Sequence, residues 1–227
     1  EYADRYRNAE MPSPIPVQAD KKSTPYTRRQ SGMEADQIKK TRRMYCAAIE
    51  LIDDQIGLIL NALEKRGMLE NTLILFTSDH GEMLGDHGLY TKEFGYEQSI
   101  RVPLLLAGPG VPKGRTSDTL VELIDVNPTI CEATGLPPQE RIDALSLFPF
   151  LRGETEKHRE DTFCALAHFQ CIRTETHKVI NNFNDCVELY DLVKDPQETT
   201  NIIDGNSHIG LLRDRIRERL TEAKWMR

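Results

Sequence analysis

The sequence contains no apolar run near the ~20 residues that a membrane-crossing helix needs, so no span of that kind is expected. It also lacks an excess of basic residues: 29 Lys and Arg stand against 36 Asp and Glu, a formal net charge of -7. General nucleic-acid binding works through clustered cations that neutralise phosphates. Neither a nucleic acid nor a membrane is therefore expected as a partner. Cysteine is scarce and odd in number: Cys46, Cys131, Cys164, Cys171 and Cys186, with no pair at C-x-x-C spacing. Dithiol redox and zinc-ribbon chemistry have no signature here. The thiols read as buried and free, with one disulfide among the last three left open. The compartment, periplasmic or secreted against cytoplasmic, stays undecided, and so does the oligomeric state. There is no H-E-x-x-H zinc spacing, no internal repeat and no low-complexity tract. The chain opens Glu1-Tyr2-Ala3-Asp4, without Met and without a basic-then-apolar leader, and reads as if it begins mid-protein.

What is present is ordinary in amount: 227 residues, 39% apolar and 29% charged, enough for one large domain or a medium and a small one. Residues 1–33 are polar and rich in Pro (Pro12, Pro14, Pro16, Pro25) and read as a loop or arm. From Glu34 to Arg66 the residues Tyr45, Ala48, Ile49, Ile52, Ile56, Ile59, Leu60 and Leu63 recur at helical spacing, with Gly67 as a stop. Asp53, Asp54, Glu64 and Lys65 read as its solvated face.

Thr72 to Ser78 is a short continuous apolar run, as expected of a strand buried on both faces of a parallel sheet. Val102 to Ala107 is a second such strand, and Leu120 to Ile124 a third strand-like segment. Asn127-Pro128-Thr129 opens a short helix closed by Gly135. Alternating helix and buried strand predicts an α/β layer structure. After Pro137-Pro138 a charged connector leads to shorter strand candidates: Phe163 to Phe169, Cys171 to Thr174, Lys178 to Asn182 and Glu188 to Asp191. A last helix is expected from His208 to Trp225, so this part reads as a small antiparallel sheet with a C-terminal helix. The division falls at 1–157 and 158–227.

The informative stretch runs from Thr77 to Lys92. It places Asp79, His80, Asp86, His87 and Lys92 among glycines directly after a buried strand. Carboxylate oxygen and imidazole nitrogen are ligands for a divalent cation. Glycines let backbone approach a ligand closely, and a lysine meets an anion as a point charge. Ligands of α/β sheets gather at the carboxyl ends of strands. A polar loop with capping Asp and solvated His is the plainer alternative at this level.

The run TLILFTSDHGEMLGDHGLYTKEFGYEQSIRVPLLLAGPGV resembles the sulfatase family of the alkaline phosphatase superfamily. In order along the chain, YCAAIELIDDQIGLILNALEKRG, LIDVNPTICEATGL, SLFPFLRGE, CIRTETHKVI and ELYDLVKDPQETTNI resemble further segments of that family, so that the likeness covers 35 to about 203. It implies the C-terminal half of an alkaline-phosphatase-like α/β/α sandwich plus the small antiparallel sheet and its helix. It implies Asp79 and His80 as ligands of a divalent metal, and Lys92 as the residue that contacts the substrate sulfate. His87 is carried as a second substrate-pocket residue, with a structural His as the alternative. Glu97 and Arg101 are implied as a scaffold pair near the site.

The implied metal is calcium first. The nitrogen of His80, where many relatives place an amide oxygen, also admits manganese, iron or zinc. The family's nucleophile, a formylglycine made from C/S-x-P-x-R, has no counterpart: Ser13-Pro14-Ile15-Pro16-Val17 lacks both spacing and Arg. No catalytic nucleophile is therefore assigned here. The resemblance implies a fragment of a sulfuric ester hydrolase, inactive in isolation, acting in its parent on a sulfate ester or sugar sulfate. A phosphonate monoester or phosphodiester hydrolase of the same superfamily, or a non-catalytic fragment, are the other readings.

Overall fold

A computed structural model describes residues 1–17, 33–137, 143–183, 185–204 and 208–222. The short helix α1 (Tyr2–Arg5) lies against the long helix α2 (Ala35–Lys65). Tyr2 donates to Asp54 Oδ2 at 2.8 Å, and Arg5 pairs with Glu50. The arm that follows α1 is strapped down by Arg43 Nε to the Ala9 carbonyl (2.8 Å) and Arg42 Nη1 to the Pro12 carbonyl (2.9 Å). Of the expected loop at 1–33, residues 18–32 lie outside the described part.

Helix α2 has the predicted limits, but its apolar stripe does not face a core. Only Ala47 is buried, while Tyr45, Ile49, Ile52 and Ile59 are exposed. Periodicity gave the helix correctly; among the described residues nothing covers that stripe, and the side that packs is the one that meets α1 and the arm.

Strand β1 (Ile74–Thr77) pairs with β2 (Leu104–Ala107) in register Ile74↔Ala107 to Thr77↔Leu104. The pairing is antiparallel, so the expectation of a parallel sheet buried on both faces is corrected for these two strands. Phe76 and Leu105 are exposed. An unbroken apolar run says that a strand meets apolar neighbours, but not in which direction the neighbour runs. Between the strands lies the one-turn helix α3 (Glu97–Ile100). The third strand-like segment is reduced to one bridge, Leu120↔Arg159, followed by a 3-10 turn at Leu123–Asp125. Helix α4 (Val126–Thr134) ends at Gly135, whose φ of 69° is the left-handed cap that glycine adopts without penalty. Helix α5 (Phe148–Leu151) has Pro in its first turn, where the missing N–H costs nothing.

Strands β3 (Thr162–Leu166), β4 (Phe169–Arg173), β5 (His177–Asn182) and β6 (Val187–Asp191) form an antiparallel meander, and α6 (His208–Glu222) packs on it. Register sorts the side chains onto two faces. Ile172, Val179 and Leu189 are cross-strand neighbours and meet Ile216 of α6 in an apolar layer. Cys171, Ile180 and Tyr190 point the other way and pack with Phe169 against Met83, Leu89, Phe94 and Tyr96 from the segment between β1 and β2. The sheet is thus buried on both sides. Its second layer rests on the chemically informative loop. All five cysteines are free, yet only Cys171 is buried and Cys186 is exposed, which corrects the uniform expectation. No helix among the described residues is long and apolar enough to cross a membrane.

Candidate functional site

Strand β1 delivers the chain to Ser78, where the backbone folds over itself. Ser78 Oγ donates to the His80 carbonyl at 2.9 Å, and the His80 N–H donates to Asp79 Oδ1 at 3.0 Å. Gly81 must then pass against α3: its N–H donates to the Ser99 carbonyl at 2.7 Å, and a Cβ on it would lie 2.0 Å from the Gln98 carbonyl oxygen. Only glycine fits. Gly81→Ala is expected to cost about 1–3 kcal/mol as the turn is pushed off α3, read as a lower midpoint in urea unfolding.

Beyond Gly81 the loop returns on itself through Met83 N–H to the Thr91 carbonyl (3.1 Å) and Thr91 N–H to Glu82 Oε1 (2.6 Å). The fold-back brings Lys92 to the turn. Lys92 Nζ lies 2.6 Å from His80 Nε2, and His80 Nε2 lies 3.3 Å from Asp79 Oδ2. His80 Nδ1 sits 2.7 Å from the Gly81 carbonyl, so Nδ1 is the donor there and Nε2 is the nitrogen that faces Lys92 and Asp79. The Asp79 side chain is 80% exposed and that of His80 35%. Lys92 also lines a hollow of about 450 Å³ with Tyr90, Thr91 and Glu93. Asp79, His80 and Lys92 therefore converge as oxygen donor, nitrogen donor and ammonium.

His87 lies in the same loop. It is buried, its φ is 54°, and its ring stacks on Tyr96 with centroids 4.3 Å apart. Its backbone N–H holds the Ile15 carbonyl of the arm (2.8 Å), while Asp86, paired with Arg42, accepts the Ile15 N–H. Burial and the stack on Tyr96 are what the structural alternative expects of His87. The scaffold pair that the resemblance implied, Glu97 and Arg101, brackets the one-turn helix α3, where the Arg101 N–H donates to the Glu97 carbonyl at 2.8 Å. Burial would raise the Glu97 pKa, but nearby cations, Arg101 among them, hold it down. The Glu97 carboxylate also meets Lys178 (2.6 Å) and Arg173 (3.2 Å).

The charges that hold the site's surroundings were not singled out in the sequence. Lys178 is wholly buried between Glu97 and Glu198, each 2.6 Å away. Burial alone would lower its pKa, but the two carboxylates outweigh that and raise it, so the ammonium persists. Glu188, also buried, accepts from Tyr96 (2.7 Å), Tyr190 and Asn182 (2.8 Å). Both residues lie in segments that the family resemblance had marked, so that marking was the available signal.

Residues 3–136 match the sulfatase family model, and residues 85–225 match the model of the N-sulphoglucosamine sulphohydrolase C-terminal region. The chain belongs to the sulfatase family. It is 36% identical to a choline-sulfatase of Rhizobium meliloti over 174 residues, 74% of this chain and 34% of that protein. The solved structure of BT4656 in complex with its substrate D-glucosamine-2-N,6-O-disulfate matches at 30% identity and a TM-score of 0.76, over 84% of this chain and 42% of that one. A phosphonate monoester hydrolase of Agrobacterium radiobacter matches at 31% identity and a TM-score of 0.73, with the same coverage. This sulfatase chain thus spans about a third of the length of the choline-sulfatase and under half of these solved chains. The expected alkaline-phosphatase-like α/β fold with its small antiparallel sheet and C-terminal helix is borne out.

Membership implies metal use and a formylglycine in the family. Among the described residues no three or more His, Cys, Asp or Glu side chains gather for a metal. The chain offers two donors, Asp79 and His80, and their chemistry fits a divalent cation: an accessible carboxylate and an imidazole nitrogen whose tautomer is fixed from behind.

Proposed function

We propose that this chain supplies the cation-binding and anion-contacting part of a hydrolase of sulfuric esters, with the formylglycine nucleophile carried by another segment of a longer protein. The observation that carries this is the convergence on His80 Nε2, just beyond the end of β1, of Lys92 Nζ at 2.6 Å and Asp79 Oδ2 at 3.3 Å. The exposed stripe of α2 and the exposed Phe76 and Leu105 support work inside a larger body, since contiguous apolar surface of this kind marks a contact face.

A divalent cation here would neutralise charge on the sulfuryl oxygens. Asp79 and His80 would hold it, the latter through Nε2 while Gly81 keeps the Nδ1 proton. Lys92 would place its ammonium against an oxygen of the transferred group, where charge builds as the ester bond breaks. Calcium is the first expectation, and the nitrogen donor admits manganese, iron or zinc. A sugar sulfate or another small sulfate ester is the substrate class, in line with the disulfated glucosamine bound by the solved relative.

The likeness to a phosphonate monoester hydrolase at a similar identity supports a second reading within the superfamily. Turnover of an aryl sulfate and of an aryl phosphonate monoester, measured side by side on the longer protein, separates them. A kcat/KM higher for the sulfate is expected; the reverse order would move the assignment to phosphonates. Calorimetric titration with calcium and manganese tests the metal. Asp79→Ala is expected to weaken binding, and unchanged affinity would remove Asp79 as a ligand.

A further inference from the structure

The face of the meander that rests on the site carries more charge than packing requires. Lys178 Nζ contacts Glu97 Oε1 and Glu198 Oε1, both at 2.6 Å, and donates to the Gly95 carbonyl at 3.2 Å. Glu198 Oε2 closes a ring by accepting the Glu97 backbone N–H at 2.8 Å. Arg173 Nε brings a second cation 3.2 Å from Glu97 Oε1. Glu198 adopts a φ of 57°, which a side chain takes at a cost. Taking such charges out of water is expensive, and apolar residues of the same volume stabilise a core as well or better. Stability alone is therefore a weak reason for the cluster.

Direction is a stronger one. What the cluster grips is Gly95 and Glu97, the entry into α3. The far end of the same helix grips the site. The buried Ser99 takes the Gly81 N–H on its carbonyl at 2.7 Å, and its Oγ donates to the Lys92 carbonyl. One helical turn thus joins the buried ammonium of β5 to the turn that presents His80 and to the backbone that carries the site's lysine.

We propose that Lys178 is a positioning residue: from the C-terminal sheet it clamps α3, so that Ser99 holds Gly81 and Lys92, and with them His80, at a fixed spacing. The inference rests on the reading of that turn as the anion- and cation-contacting part of the hydrolase, and its test separates the two. Lys178→Met removes the cation. The double variant K178M/E198Q removes one charge of each sign and leaves Glu97 paired with Arg173.

The first readout needs no substrate: amide hydrogen exchange of the 227-residue chain. In the double variant the Gly81 amide is expected to exchange at least about tenfold faster, while amides between β4 and β5 keep their protection. Unchanged Gly81 exchange overturns the proposal. So does loss of protection at Gly81 in step with β4 and β5, or failure of the charge-matched variant to fold, since the cluster would then only hold the sheet. The second readout is turnover of an aryl sulfate by the longer protein. A loss of about 10–100-fold is expected, carried in kcat with KM little changed. A wild-type protein that turns over neither sulfate nor phosphonate esters would sink the functional reading and leave the exchange result standing.

Discussion

Asp125→Ala should lower the stability of the fold by about 3–5 kcal/mol, because it strips the partner from a buried guanidinium. Asp125 is wholly buried at the start of α4. Its Oδ2 accepts from Arg159 Nε at 2.8 Å and from the Glu122 N–H at 2.9 Å, and lies 2.9 Å from His158 Nε2. Its Oδ1 accepts from Arg159 Nη2 and from the Leu145 N–H, the latter at 2.9 Å. The connector from Leu145 to Arg159 is therefore pinned to the 3-10 turn before α4 by one carboxylate. Arg159 in turn lies 3.6 Å from Glu122, which pairs with Arg219 of α6. The break would be felt on both sides of the molecule. For a chain of this length, about 2–4 °C of melting temperature accompanies each kcal/mol, so a drop of roughly 10 °C is expected by calorimetry.

The pH dependence has a definite sign. Burial by itself would raise the Asp125 pKa, but the hydrogen bonds from Arg159, His158 and the two backbone N–H groups outweigh it and hold the carboxyl well below the ordinary range. A carboxyl lowered on folding gives stability that is fully present above its unfolded pKa of about 3.9 and is lost as pH falls toward the folded value. Asp125→Asn should remove that part of the acid limb, so that its melting temperature falls less steeply than the wild type's below about pH 4. A parallel slope would show that the carboxylate is not ionised in the fold.

Lys92→Ala in the longer protein is the second large expectation. Loss of one preorganised donor aimed at developing charge costs about 10²–10³ in kcat. The Lys92 ammonium sits 2.6 Å from His80 Nε2, and Lys92 is one of the residues that line the adjacent hollow. Because it is exposed and held through its backbone by Ser99, its removal should leave the melting temperature within a degree or so, as for an exposed position. Lys92→Arg keeps the charge but replaces a compact ammonium with a wider planar fork, and should recover only part of the rate. Full activity in Lys92→Ala would remove it from the site.

The site turn was legible because a buried-type run that stops at Asp79-His80-Gly81 is a local pattern, and Lys92 is brought back within a single loop. The long helix was legible from its period, and the meander from short apolar runs between turns. Harder to read was whatever depended on a partner. Whether the stripe of α2 is covered, and whether β1 meets a parallel or antiparallel neighbour, depends on chain far away. The charges of the sheet were hidden for a further reason. In Lys178-Val179-Ile180 a lysine beside apolar residues looks like the wet face of a strand, yet both faces of this strand are covered. Its partners, Glu97 and Glu198, lie far off in sequence on either side, so no window over β5 contains them.

The same two-sided burial bears on how the chain finds its fold. A β5 that paired one residue out of step would turn Lys178 toward Ile216, stranding an ammonium in an apolar layer without a counterion, and would turn Val179 into the carboxylates of Glu97 and Glu198. Side-chain alternation makes every such slip an exchange of faces. Here the exchange would bury unpaired charge, so wrong alignments of the meander are penalised as they form, and a hairpin that is right in register is the one that can dock against the rest.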